Sequence, residues 1–98
     1  MEIRTSENGQ ETTMELVGWL DIQAAPELEK AINDLEEGGS LVIDMKELEY
    51  ISSSGLRQLV AAYKKYKGDM KLKNVPASIL DILRTTGLDK KLKIEKEI

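Results

Sequence analysis

The stretch that decides the fold is Tyr50-Ile51-Ser52-Ser53-Ser54-Gly55-Leu56. Ahead of it, Leu41-Val42-Ile43-Asp44 has the consecutive apolar residues that are typical of a central strand covered on both faces. Behind it, apolar residues recur at the spacing of one helix face, at Leu56, Leu59, Val60 and Tyr63. The sequence therefore predicts that three serines lie between the end of a strand and the start of a helix.

Two roles are open to serines at this place. A serine hydroxyl at a helix start accepts hydrogen bonds from backbone N–H groups that have no intrahelical partner. The same N–H groups, together with the helix macrodipole, attract anions, so a phosphate on one of these serines would be stabilised there. Ser52, Ser53 and Ser54 are thus candidates both for capping and for phosphorylation. Gly55 is expected to serve backbone geometry and close packing.

Outward from this stretch, the sequence predicts an initial hairpin followed by a βαβ series. Asn8-Gly9 is a strong hairpin signal, and Pro26 and Pro76 each suit the first turn of a helix. Strands are predicted at residues 2–6, 11–20, 41–44 and 70–73, with a short link at 45–51 and a weaker strand in the tail at 92–98. Helices are predicted from 26 to the Gly38-Gly39 pair, from about 54 to 67, and from 76 to 87.

This order of elements predicts an α/β fold. We expect one small domain over residues 1–98, with right-handed crossovers and a mixed sheet of four to five strands with three or more helices. Functional groups in such sheets lie beyond the carboxyl ends of the strands. Asp21 and the three serines both follow such ends, so we expect them to share one surface. Trp19 alternates with Leu16 and Leu20 and should be partly exposed.

Composition excludes several classes of function. The chain has 98 residues with neither histidine nor cysteine, which removes the usual nucleophile–base pairs and nearly all zinc sites. An enzyme is therefore not expected, and neither is a metal or another cofactor. No apolar run approaches the roughly 20 residues of a membrane helix, and no signal segment opens the chain. The expectation is a cytoplasmic protein without direct membrane insertion.

The net charge of −4 is unevenly distributed. Residues 1–49 hold 3 Lys or Arg against 13 Asp or Glu, and residues 50–98 hold 11 against 5. This pattern indicates either solvated helix faces or an acidic and a basic side that orient a charged partner. The lysines at 64, 65, 67, 71 and 73, with Tyr63 and Tyr66, also suggest nucleic-acid binding, but the negative total charge disfavours it.

The run Leu41-Val42-Ile43-Asp44, then Leu48, then Tyr50 to Leu56 resembles the signature of STAS domains, and more narrowly of the bacterial anti-sigma factor antagonists. Gly18-Trp19-Leu20-Asp21 resembles the Gly-x-Leu-Asp of that family, and Thr86-Gly87-Leu88 resembles its late Gly-Leu. The matches span nearly the whole chain in the family's order.

The resemblance implies a phosphorylation site. The family loop reads Asp-Ser-Ser/Thr-Gly-Leu, and its phosphorylated serine corresponds to Ser53, with Ser52 and Ser54 as rival acceptors. Ser52 stands where the family has aspartate, and Trp19 stands where a charged residue is common. The partner-binding residues that the resemblance implies are Asp21, Ser52, Ser53, Ser54, Gly55, Leu56 and Arg57. Asp21 is equally a candidate cap for the turn that follows it.

The implied mechanism is a partner switch. The unmodified protein binds an anti-sigma factor that is itself a serine kinase and so frees a sigma factor. Phosphorylation breaks this complex, and a serine phosphatase restores it. The alternative function is that of a non-phosphorylated STAS accessory subunit of a membrane transport system, for which the partner would be a transporter ATPase or permease.

Overall fold

The computed structural model describes residues 1–35 and 38–96. In this part of the chain, six strands and three α-helices alternate much as the sequence predicts, so the α/β class with a mixed sheet is confirmed. The strands are β1 (Glu2–Asn8), β2 (Glu11–Leu20), β3 (Ser40–Asp44), β4 (Leu48–Ile51), β5 (Met70–Val75) and β6 (Lys93–Lys96). The helices are α1 (Ala25–Asn33), α2 (Ser53–Lys65) and α3 (Ala77–Thr85), with one 3₁₀ turn at Leu88–Lys90.

The sheet runs in the order β1-β2-β3-β5-β6. β1 and β2 form the antiparallel hairpin that Asn8-Gly9 predicts, whereas the other neighbours along this path are parallel. β6 confirms the weak strand expected in the tail, although Glu97 and Ile98 lie outside the described residues. The acidic hairpin therefore occupies one edge of the sheet, and the lysine-rich strands β5 and β6 occupy the other.

β4 is the element that the sequence did not predict, because residues 45–51 were expected to be a link. It pairs in parallel with the last residues of β2, through Gly18 with Leu48, Trp19 with Tyr50 and Leu20 with Ile51. β3 pairs with the first half of the same strand, from Glu11 to Glu15. The chain therefore leaves the sheet after β3 and rejoins it further along β2, which brings the sheet to six strands.

The buried residues of the sheet and helices form a hydrophobic cluster. β2 and β5 contribute buried side chains that mostly alternate along the strand, whereas β3 is buried at three consecutive residues, Leu41, Val42 and Ile43, as its apolar run predicts. Each α-helix contributes the apolar stripe that its spacing predicts. The helical members of the cluster include Leu28 and Ile32 of α1, Leu59 and Ala62 of α2, and Ile79 and Leu83 of α3. The helices are thereby fixed on the sheet by burial, and the start of α2 is fixed with them.

A side chain of α2 also binds the end of α1. The Lys65 amine donates hydrogen bonds to the backbone oxygens of Ile32, at 2.6 Å, and Leu35, at 2.9 Å. These carbonyls lie at the carboxyl end of α1, which attracts a cation, and the Ile32 oxygen also accepts from the Leu35 N–H at 3.1 Å. α1 ends at Asn33, earlier than the Gly38-Gly39 pair predicts, and Leu35 packs on the core from just beyond the helix. The contact ties the two helices together.

Candidate functional site

Ser52 joins the end of β2 to the start of α2. Its backbone N–H donates to the Leu20 oxygen at 2.8 Å, and its side-chain oxygen accepts a hydrogen bond from the Gly55 N–H at 3.1 Å. Only 7% of the residue is exposed. Ser52 is therefore the N-cap of α2, and its hydroxyl satisfies one of the backbone donors that a helix start leaves unpaired.

The other two serines differ from Ser52 in exposure. Ser53 is the first residue of α2 and is exposed, whereas Ser54 is half-buried. The first turn of α2, all of which the structure describes, carries no acidic side chain. An anion attached to Ser53 would therefore meet the positive end of the helix without a competing carboxylate in that turn.

Gly55 allows α2 to approach β2 and β4 closely. A Cβ atom built on Gly55 would lie 2.6 Å from Leu20 Cγ and 3.0 Å from Ile51 Cγ1. Both of those residues are buried, so neither side chain has open space into which to move. This finding agrees with the expectation of close packing, and it means that glycine is needed at 55 for the position of the serine segment.

Asp21 and the serine segment lie together, as their places after neighbouring strands predict. A surface cleft of about 440 Å³ is lined by Asp21, Ile22, Gln23, Tyr50, Ser52 and Ser53. Asp21 also caps its own turn: its Oδ1 accepts from the Ala24 N–H at 2.9 Å, and its backbone oxygen accepts from the Ala25 N–H at 3.0 Å. A capping role for Asp21 is therefore observed, and its role in partner binding stays a prediction.

The Asp21 cap can be tested directly. We expect Asp21→Ala to lower the free energy of unfolding by about 1 kcal/mol, because the Ala24 N–H loses its acceptor. The matched variant Asp21→Asn keeps a side-chain oxygen in the same place and should lose only a few tenths of a kcal/mol. Urea denaturation measures both values. Equal losses in the two variants would show that the carboxylate charge, and not the hydrogen bond, stabilises this turn.

Leu56 and Arg57 lie on the other side of the α2 start. They line an apolar groove of about 510 Å³ with Val60, Ala61, Lys64, Thr86 and Leu88. Ser54 and Arg57 also border a shallow hollow between α1 and α2. The structure thus spreads the sequence-predicted partner residues over three depressions around the start of α2. Asp21, Ser52 and Ser53 line the cleft, Leu56 and Arg57 line the groove, and Ser54 borders the hollow with Arg57, while Gly55 is buried.

Sequence reasoning missed two exposed apolar residues beside Ser53. Ile22 is 71% exposed and Tyr50 is 40% exposed, and both line the Ser53 cleft. Trp19, for which partial exposure was predicted correctly, is 57% exposed and has its ring centroid 5.2 Å from that of Tyr50. If β4 had been recognised as a strand paired with β2, Trp19 would have been placed opposite Tyr50. However, β4 has only four residues, and its two middle residues are both exposed, so its sequence lacks the alternation that indicates a strand.

The described residues contain neither an acidic cluster for a metal ion nor a helix that could span a membrane. Within 1–35 and 38–96 there is no group of three or more acidic side chains placed to hold a metal ion. In the same ranges, no helix combines the length and apolar character needed to cross a membrane. The cleft at the start of α2 thus holds the exposed residue Ser53, the Asp21 carboxylate and the Tyr50 ring.

Comparisons with known proteins agree with this geometry. A curated relative, the anti-sigma-B factor antagonist of Bacillus subtilis (strain 168), is 29% identical over 92 residues, which cover 90% of this chain and 84% of the relative. A solved anti-sigma factor antagonist from Mycobacterium paratuberculosis has a TM-score of 0.86 and 26% identity, over 95% of this chain and 83% of that one.

A sulfate transporter family protein from Wolinella succinogenes has a TM-score of 0.72 over 91% of this chain and 80% of that one. At 16% identity, this likeness shows the fold alone. The family model described as STAS domain matches residues 2–98. The resemblance seen in the serine motif is thereby confirmed at the level of the family, and the chain belongs to the STAS domain family.

Proposed function

We propose that the chain is a single STAS domain acting as an anti-sigma factor antagonist that is switched off by phosphorylation of Ser53. The unmodified domain binds an anti-sigma factor with serine kinase activity and so releases a sigma factor. A serine phosphatase reverses the modification. The observation that carries this proposal is that Ser53 is exposed at the first position of α2. The resemblance aligns this serine with the family's phosphoserine. The names of the two antagonist relatives support it.

The three serines are not equivalent as phosphate acceptors. Ser52 is buried and its oxygen is engaged with the Gly55 N–H, so modifying it would disrupt the helix cap. Ser54 is half-buried. Ser53 is exposed in the cleft that Asp21 borders, where a kinase can reach its hydroxyl without unfolding the helix start. Ser53 is therefore the acceptor that we propose.

Phosphorylation at Ser53 would change the surface that a partner has to cover. A phosphoserine adds about −1.5 to −2 charges and three acceptor oxygens. Within the molecule, the start of α2 can accommodate the phosphate. On the outside, the cleft would hold a phosphate as well as the Asp21 carboxylate, and a partner that covers it must desolvate both anions. The modification thus disfavours binding without a change of fold.

Phosphate mapping tests this proposal. The domain would be incubated with ATP and the serine-kinase anti-sigma factor that is encoded nearest to it in its own genome, and the phosphate located by mass spectrometry. We expect one phosphate on Ser53, none in Ser53→Ala, and unchanged incorporation in the matched control Ser54→Ala. Phosphate on Ser54 alone, or none on the wild-type chain, would contradict the proposed switch.

The second candidate function is a non-phosphorylated accessory subunit of a membrane transport system. The Wolinella succinogenes protein supports this candidate through its fold alone, because it shows that a sulfate transporter family protein has the same architecture. Affinity capture with the unmodified domain separates the two candidates. If a histidine-kinase-like ATPase co-purifies with the domain, the antagonist function is supported. If a permease or a transporter ATPase co-purifies with it, the accessory-subunit function is supported.

A further inference from the structure

The large apolar side chains that are exposed in the described residues are gathered at one end of the sheet. They are Met1, Trp19, Ile22 and Tyr50. Trp19 and Tyr50 are cross-strand partners on β2 and β4 with their rings tilted by 37°. Ile22 and Tyr50 line the Ser53 cleft. The Met1 Cα lies 3.8 Å from the place of a Cβ on Gly18, the residue next to Trp19. We call Trp19, Ile22 and Tyr50 the aromatic patch.

Leaving such a patch in water is unfavourable, since each Å² of apolar surface that becomes buried gains about 25 cal/mol. Contiguous exposed apolar side chains on a folded domain mark interaction surfaces, whereas scattered ones do not. Tryptophan and tyrosine are also the residues that most often dominate binding energy at the centre of an interface. The patch therefore has the composition of an interface centre. Its position beside Ser53 indicates which partner would cover it.

We propose that the aromatic patch is the main anchor for the anti-sigma factor, which would cover it together with Ser53; this inference rests on the proposed function. The argument is one of geometry, because Tyr50 and Ile22 line the same cleft as Ser53. A kinase whose active site reaches the Ser53 hydroxyl lies over both of these side chains. The partner surface that docks here and the one that phosphorylates here are then the same.

The charge of the residues that line the cleft indicates what kind of partner surface would fit it. Of the six residues that line the Ser53 cleft, Asp21 alone carries a formal charge. The complementary surface is an apolar pocket for the Trp19 and Tyr50 rings with one lysine or arginine opposite the Asp21 carboxylate. Trp19 stands where the family commonly has a charged residue, so this anchor would be a feature of this chain's own pairing and a source of specificity for its cognate partner.

The binding test uses the anti-sigma factor kinase that is encoded nearest to this chain, measured by titration calorimetry. We expect Trp19→Thr to weaken binding by at least about 30-fold, because removing a central aromatic anchor costs about 2 kcal/mol or more. Threonine is β-branched and therefore suits a position in strand β2. The matched control Ile94→Thr makes the same kind of change in β6, at the far edge of the sheet, and should leave the affinity within about twofold.

A second measurement needs no substitution. Because Trp19 is the chain's only tryptophan, incorporation of 5-fluorotryptophan gives a single ¹⁹F resonance from the patch. We expect this resonance to shift on addition of the unlabelled kinase and to lose the difference between H₂O and D₂O that reports solvent contact. This measurement keeps the inference testable if Trp19→Thr does not fold.

The possible outcomes separate the two proposals. A wild-type domain that binds the kinase while Trp19→Thr binds equally well, or while the ¹⁹F resonance stays solvent-exposed, overturns the aromatic anchor and leaves the antagonist function standing. A wild-type domain that does not bind the kinase overturns both. A third outcome is that the wild-type chain self-associates and that Trp19→Thr abolishes this self-association without changing the affinity for the kinase. This outcome would show that a second copy of the chain covers the patch, and it also overturns the inference.

Discussion

Ser53→Asp is expected to weaken binding to the anti-sigma factor by at least about a hundredfold, and Ser53→Ala to leave it within about threefold. The aspartate places a permanent negative charge on an exposed side chain of the cleft that already holds the Asp21 carboxylate. A coupling of about 3 kcal/mol lies at the upper end of the usual range and corresponds to more than a hundredfold in affinity. Alanine adds neither charge nor bulk.

The fold should tolerate both changes, which makes the comparison informative. Aspartate in the first turn of α2 interacts favourably with the positive end of the helix, by about 0.3–1 kcal/mol at an exposed site. Thermal unfolding of Ser53→Asp should therefore match or exceed that of the wild type. A Ser53→Asp variant that is folded and binds normally in calorimetry would eliminate the switch, whereas one that fails to fold would show that the α2 start does not accept a negative charge.

The second large effect concerns the packing under the serine segment. We expect Leu20→Ala to lower the free energy of unfolding by about 3 kcal/mol, since it empties a fully buried site. Gly55→Ala should lower it by about 1–2 kcal/mol, because the new methyl group would lie 2.6 Å from Leu20 Cγ. The gain in helix propensity from glycine to alanine, about 1 kcal/mol at most, offsets only part of this overpacking.

Combining the two substitutions tests the contact itself. In Leu20→Ala with Gly55→Ala, the added methyl group occupies space that the leucine leaves, so the loss should be smaller than the sum by about 1 kcal/mol. The matched control pairs Gly55→Ala with Leu16→Ala, which truncates another fully buried leucine of the same strand and should be additive. Urea denaturation with an unchanged m-value measures the cycle. Additivity in both pairs would remove the packing explanation for Gly55.

The fold was predictable where the sequence repeats a strong local pattern. Asn8-Gly9 between alternating strands and the apolar stripes behind Pro26 and Pro76 are such patterns, and the structure confirms the elements that they indicate. β4 was not predictable, because its four residues form a strand only by pairing with the end of β2. The early end of α1 also has no local signal in the sequence, and Lys65, about thirty residues away, binds the carbonyls of Ile32 and of Leu35 just beyond the helix.

The candidate site was predictable in chemistry and less so in arrangement. The motif places Ser53 at a helix start because serines, a glycine and an apolar stripe follow a buried strand in order, and the structure has that order. Whether Ser53 accepts a phosphate stays a prediction. The substitution of Ser52 for the family's aspartate has a structural reading: the serine oxygen performs the N-cap bond that a carboxylate would otherwise make. To predict that Trp19, Tyr50 and Ile22 lie together, one would have to know the pairing register of β2 and β4, and no local sequence pattern indicates that register.

Strand β2 runs from the hairpin turn to the serine segment. Its ten residues, Glu11–Leu20, span about 30 Å, which is close to the 32 Å long axis of the molecule. The Asn8-Gly9 turn therefore lies at the opposite pole from Ser53, and Asn8 and Gln10 on either side of Gly9 are exposed. A fluorophore or a tether attached at that turn would leave the docking pole free, so this domain can be immobilised or labelled for biosensor work without masking the surface that is to be measured.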